Sequence, residues 1–390
     1  MSIDVLIGGT ATPIDRAVFT ALLEDSVAST YVDYEKALSA GAIAFANLVK
    51  LARHGEIPYS LFFAPLPLVQ AQIEAKTSKL LAGLTKTTFS VNSRDIVELR
   101  DIELIVKDLL RKQQLLKTYD TTLTKNSIVA LLARPGRTVK SDADKLMRAL
   151  GLTHESMRSV GDRDAMLAHL IAHLEAKQIL VSQSSGTAMP QRLRVKFSGM
   201  AIKDNKIPYI FLAGGDPGDN QEPSGRRVFT LTLLAVLVAR KIFAPVTYDG
   251  SSVGPGVGRE YDIVGEILMP AADIRGQNLG SLEDVKSVAD GFNVTPSAVT
   301  VRAMRLNMVT AATAKSYLDE LAREYARREK PPRRTPLPVN AVRKYNGREF
   351  SVRMLGALDA QQLSQKEFCR SVCLNRIKPS QIEDFRAVLH

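Results

Sequence analysis

The stretch FTLTLLAVLVARKIF, residues 229–243, constrains this chain more than any other. It is the longest apolar run in the sequence and meets no charge before Arg240 and Lys241. Wound into a helix, it shows apolar residues on every side. That predicts a helix buried all round rather than an amphipathic one on a surface. It is too short, and charged too soon, to cross a bilayer, which takes about 20 apolar residues. A buried strand is the rival reading, because hydrophobic period does not separate the two in a short run. Its length and its leucine and alanine content favour helix.

The surroundings of this run carry further information. A polar loop rich in glycine and proline, DPGDNQEPSGRR, leads into it, and the extended segment IPYIFLAGGDP starts at Ile207. Downstream come REYDIVGEILMP, residues 259–270, and FNVTPSAVTVRAMRLNMV, residues 292–309. The order of three motifs resembles the ImmA/IrrE family of zinc metallopeptidases, often fused to an XRE-type helix-turn-helix. The motifs are Arg227-Val228-Phe229-Thr230-Leu231, Leu268-Met269-Pro270 and Phe292-Asn293-Val294-Thr295. The likeness covers most of the chain and is strongest over residues 180–309.

The resemblance implies a fold and denies the activity. Where the family has the His, Glu and second His of its HExxH helix, this chain has Leu233, Leu234 and Leu237. Counting back from Pro270, the family's third ligand, a glutamate, falls on Val257. Zinc needs lone pairs from His, Cys or carboxylate, and a hydrolytic water needs a general base. Leucine and valine offer neither. No catalytic residue, metal ligand or cofactor is therefore carried over, and the expectation is an inactive pseudo-metallopeptidase. Chains of this kind are expected on phages and mobile elements, as regulators or as antitoxin-like proteins beside toxin genes.

At 390 residues the chain is longer than one core usually serves, so two or three modules are expected. The net charge of +11 permits contact with a polyanion without demanding it. The N-terminus MSIDVLIGG lacks the basic and long apolar regions of a signal peptide. Two cysteines, Cys369 and Cys373, are too few for a disulfide framework, and their spacing in a helical pattern suits a bridge poorly. Reduced thiols in a cytoplasmic protein without a membrane span are the expectation.

The expected fold class is α+β, predominantly helical. It comprises a degenerate helix-turn-helix-like region at 1–67, a helical linker domain at 68–174 and a zincin-like core with a small sheet at 175–320. A basic, proline-rich linker at 321–345 leads to a C-terminal helical module at 346–390. In the first region helices are expected over 11–28, 34–38 and 45–52. The stretch ANLVKLARHGEIPYSLFFAPLP resembles the exit from the XRE helix-turn-helix. A DNA-reading helix needs basic side chains for phosphates, yet between Ser26 and Ala46 only Lys36 is basic. A helical bundle kept for packing is the better reading there.

In the linker domain, residues 96–116 place Ile102, Ile105, Val106, Leu109 and Leu110 at helical spacing. His169 and His173 stand four apart on the helix expected over 163–179, with no Glu after the first and no third ligand at a recognisable spacing. Ordinary helix histidines are the reading. Strands are expected at 180–182, 193–197 and 209–212. The loops at 214–227 and 254–258 match neither a P-loop nor a dinucleotide fingerprint. Thr295 and Pro296 read as the cap and first residue of the second helix of a helix-turn-helix over 282–306, with Arg302 and Arg305 directed away from its inner face. Arg323, Arg327, Arg328, Arg333 and Arg334, followed by Arg343 and Lys344, form an extended arm suited to nucleic acid or another polyanion.

Three functions fit these residues. The first is an inactive ImmA/IrrE-like regulatory or binding protein acting through a protein partner. The second is a DNA-binding transcriptional regulator using the N-terminal head or the basic arm. The third, a cryptic peptidase with a non-standard site, is the weakest, because the central helix is apolar throughout its middle. The sequence carries no signal for oligomeric state.

Overall fold

The computed structural model describes residues 2–24, 26–81, 99–193, 195, 198–215, 221–246, 258–328 and 335–389. The chain is mixed α+β and predominantly helical, with two small sheets. It divides into two compact units.

The first unit comprises Met1–Gly83, Ile96–Leu110 and Pro190–Val195. It opens with a hairpin of β1 (Ser2–Ile7) and β2 (Thr10–Asp15), joined through Gly8 and Gly9. Both glycines have positive φ, 56° and 87°, as a tight two-residue hairpin turn requires. The helix expected over 11–28 is corrected here. Residues 10–15 pair with β1, and helix begins only at α1 (Arg16–Leu23), where the Asp15 carboxylate accepts the Ala17 N–H at 2.8 Å. Alternation puts Ile3 and Val5 inward, both fully buried.

Helix α2 (Val32–Ala40) stops at Gly41, and β3 (Ala42–Ala44) then joins β1 in parallel, giving the order β2-β1-β3. Helix α3 (Phe45–His54) inserts Leu48 and Leu51 beside Phe19 and Phe62, and α4 (Leu66–Leu81) follows. Helix α5 (Leu99–Tyr119) gives its first half to this unit. There the buried Glu103 carboxylate is paired with Lys76 and, at 3.1 Å, with Lys107.

The second unit contains the rest of α5 and nearly all of the chain beyond it. Helices α6 (Val139–Leu150), α7 (His154–Arg158) and α8 (Arg163–Glu175) precede a four-stranded sheet. Its strands are β4 (Leu180–Gln183), β5 (Gly199–Ile202), β6 (Tyr209–Leu212) and β7 (Pro245–Val246), in the order β4-β6-β5-β7. The β4–β6 pair is parallel and the others antiparallel. Residues 194, 196 and 197 of the strand expected at 193–197 lie outside the described residues, and the described strand starts at Gly199.

Helix α9 (Ser224–Ala239) packs on β5, β6 and α8. Every residue from Thr230 to Ala239 is buried. Each fully buried Leu or Val contributes about 1.5–3 kcal/mol by leaving water, so this helix anchors the unit. The helix begins before the apolar run and ends inside it. Lys241 adopts φ 63°, which turns the chain toward β7. A Cβ on Gly199 would lie 2.8 Å from Leu234 Cδ1 and 2.6 Å from the Phe211 carbonyl oxygen, so only glycine lets sheet and helix approach this closely.

Helices α10 (Arg259–Leu268), α11 (Ala271–Arg275), α12 (Leu282–Gly291), α13 (Pro296–Arg305) and α14 (Ala311–Arg327) follow. Thr295 caps α13 with Pro296 at its first position, as expected. Helix α14 runs through Arg327, so Arg323 and Arg327 ride on a helix rather than on an extended arm. The C-terminal helices are α15 (Pro338–Asn346), α16 (Arg348–Asp359), α17 (Gln365–Glu367) and α18 (Ile382–Ala387). Helix α15 packs along β4.

The α15–α16 junction is held by unusual polar contacts. The fully buried Lys112 ammonium lies 3.8 Å from the Tyr345 ring centroid and donates to the Tyr345 carbonyl at 3.3 Å. Phe350 and Tyr209 complete its aromatic cage. Ser182 also donates to the Tyr345 carbonyl, and the Tyr209 hydroxyl donates to Asn346 O at 3.0 Å.

Candidate functional site

The middle of α9 is the position at which the family resemblance places a metal. Leu233, Leu234 and Leu237 are 1%, 0% and 0% exposed. The only polar side chains in that stretch are Thr230 and Thr232, and the Thr232 hydroxyl donates to the Val228 carbonyl of its own helix at 2.9 Å. On one side, Leu146, Leu150, Leu170, Leu174 and Ile267 close around Leu231 and Ala235 and leave a void of about 10 Å³. A void of that size is at the limit for one water molecule. Val257 lies outside the described residues.

The two histidines of α8 face each other with ring centroids 4.5 Å apart. His173 Nδ1 lies 3.0 Å from the Leu150 carbonyl, which requires the proton on that nitrogen, and His169 Nε2 lies 3.4 Å from Ser156 Oγ. Burial, then the His173 ring, holds His169 below the usual histidine range. Among the described residues no group of three or more His, Cys, Asp or Glu side chains could hold a metal ion. Cys369 and Cys373 are free and buried, and burial pushes both thiols up.

The basic residues separate into distinct settings. Arg323 pairs with Glu320 at 2.7 Å, whereas Arg327, Arg328 and Arg343 are exposed. Lys344 is half-buried and donates to the Gly215 carbonyl, so it is occupied within the fold. Arg333 and Arg334 lie outside the described residues. In residues 1–83 there are six basic and eight acidic side chains, and on α3 Lys50 is paired with Asp33 at 3.0 Å. That segment presents no positive excess to phosphate.

Sequence reasoning missed a cleft formed by α9, α10 and α13. Phe229, Tyr261, Met269, Ala298 and Val301 give it apolar walls, and Arg226 and Arg305 stand among them. Arg302 and Arg305, expected to point away from the packing face, instead reach α10. Arg302 is 7% exposed, pairs with Glu266 and donates to the Met269 carbonyl at 3.2 Å. Arg305 pairs with Asp262 at 2.8 Å. The available signal was two arginines three apart on α13 and two carboxylates four apart on α10, each spacing that of one helix face.

Among the described residues no helix is long and apolar enough to cross a membrane. No protein-family model matches the chain, and no curated protein or solved structure matches it at a significant level. The likeness to ImmA/IrrE proteins rests on the motifs alone.

Proposed function

We propose that this chain is a catalytically inactive ImmA/IrrE-like binding protein that acts through a protein partner, in the manner of a regulator or an antitoxin. One observation supports the reading: the helix α9, where the resemblance would place a zinc site, is buried and carries leucine at 233, 234 and 237. Side chains without lone pairs there leave the helix a packing role. The surrounding surface is then free to serve recognition. The DNA-regulator reading draws on the exposed Arg327 and Arg328. It is weakened by the acidic balance of the N-terminal segment.

Affinity capture of the tagged full chain from its native host, with and without nuclease, tests the proposal. The expected result is one protein recovered in stoichiometric amount in both arms. Recovery of DNA alone, or of a protein lost on nuclease treatment, would replace it with the regulator reading.

A further inference from the structure

The small sheet of the first unit is covered on one face only. Its strands turn Ile3, Val5, Ile14 and Ile43 inward, and all four are buried. The opposite face is built of two rows in register across the strands, Ala11–Leu6–Ala44 and Pro13–Asp4–Ala42. Leu6 is 47% exposed, and Ala11, Pro13 and Ala44 are exposed around it. A sheet with one face in water normally alternates apolar inside with polar outside. Here β1 runs Val5-Leu6-Ile7 and β3 is Ala-Ile-Ala, the near-continuous apolar pattern of strands buried on both faces.

The edges of this sheet discourage a further strand. One edge is β2, with Pro13 at its middle removing a backbone donor, and the other is β3, only three residues long. Both devices blunt strand addition. What stays open is the face, and its dimensions select what covers it. At about 3.4 Å per residue and about 4.8 Å between strands, it measures roughly 20 Å by 10 Å. That width is one α-helix with its side chains, and that length is about 13 helical residues. A stable interface between folded proteins buries about 800 Å² on each side, roughly four times this area, so a second copy docked here alone falls short.

Charge selects the kind of helix. Asp4 stands at the centre of the face, on the middle strand, and is half-buried. Among the described residues its carboxylate makes no hydrogen bond or ion pair. The three strands carry no Lys or Arg, and Asp15, the other carboxylate on them, caps α1. A wholly apolar helix laid over Asp4 would bury an unpaired charge, which is costly. A lysine or arginine on the helix removes that cost. Two copies packed about a two-fold axis through the face would set Asp4 against Asp4.

We infer that the outer face of the β2-β1-β3 sheet docks one amphipathic helix of the protein partner, apolar along one side, with a lysine or arginine placed to meet Asp4. The inference rests on the binding-protein reading above and specifies a surface for it.

The test titrates the full chain with labelled designed peptides of about 15 residues, each carrying a Leu and Ala stripe. One form has Lys beside the stripe, a second has Glu at the same places, and a third is the Lys form with a central proline that breaks the helix. The Lys form should bind, and the other two should bind at least about tenfold more weakly. Asp4→Lys should reverse the preference in favour of the Glu form. Leu6→Glu should abolish binding. Ala11→Arg, at an exposed position in the same row, should also weaken the Lys form and serves if Leu6→Glu fails to fold.

Equal binding of the Lys and Glu forms, or a preference that folded Asp4→Lys leaves unchanged, would overturn the inference. So would equal binding of the proline form. A chain that is dimeric in sedimentation and becomes monomeric with Leu6→Glu would replace the helix by a second copy. If a partner captured from the host is retained by the Asp4→Lys and Leu6→Glu proteins, the binding-protein reading stands and only this surface is wrong. If no protein is captured while the peptides follow the predicted charge reversal, the surface stands and the wider reading falls.

Discussion

Replacing Glu175 by glutamine should flatten the dependence of stability on pH. Glu175 ends α8 and is 6% exposed, and its carboxylate accepts the backbone N–H of Glu349, in the first turn of α16, at 3.2 Å. Burial pushes its pKa up from 4.5 to about 7, against the pull of backbone N–H groups of Glu349 and Val181. The neighbouring Glu349 charge also raises it, and Arg348 lowers it. The folded state therefore holds the proton more tightly than the unfolded chain does. Below the unfolded value the group is neutral in both states, and its favourable contribution is fully present. As pH rises to about 7 that contribution is lost, because the ionised carboxylate must then be kept buried. At about 1.4 kcal/mol per pH unit, the rise from 4.5 to about 7 corresponds to about 3 kcal/mol between the two limits. Glutamine keeps an acceptor for the Glu349 N–H and cannot ionise. Urea unfolding from about pH 3.5 to about pH 8 should show Glu175→Gln matching the parent at the acid end and exceeding it by up to about 3 kcal/mol at the alkaline end. Parallel pH profiles for the two proteins would refute the reasoning.

Two further expectations concern the packing and one the basic segment. Writing a metal site into α9, with Leu233→His, Leu234→Glu and Leu237→His together, should not create peptidase activity. Each change should instead destabilise the second unit by about 1–3 kcal/mol or more, seen as a lower urea midpoint. Gly347→Ala should destabilise by more than about 1 kcal/mol in the same assay, because φ there is +80° and the added Cβ would collide with the Val181 carbonyl oxygen. On the rival DNA-regulator reading, neutralising Arg327, Arg328, Arg333 and Arg334 should weaken binding to every DNA duplex alike and flatten its salt dependence, with the melting temperature nearly unchanged. Sequence-specific binding that survives would move the contact elsewhere.

The parts of the fold legible in the sequence were those written in local pattern. The all-apolar run declared a buried helix because no periodicity of side could orient it. Tyr209–Leu212 declared a buried strand, and Thr295-Pro296 declared a helix start by cap chemistry alone. The N-terminal hairpin was also locally written, in the alternation of Ile3 and Val5 and in Gly8-Gly9. The helical pattern of Arg16–Leu23, continued backward, masks it across Thr10–Asp15. The remaining features depend on partners far apart in sequence. Lys112 finds Tyr345, Glu175 finds Glu349, and Arg302 finds Glu266 only once the chain is folded. The cleft is likewise a product of three helices whose facing residues show nothing special one at a time.

The central proposal is that α9 holds no metal at the position where the ImmA/IrrE resemblance would place one, and metal content tests it most directly. The purified full chain is saturated with zinc, freed of excess by dialysis against a weak chelator, and its zinc-to-protein ratio measured. The account predicts a ratio far below one. Retention of about one zinc per chain, lost on the joint change of His169→Ala and His173→Ala, would contradict it.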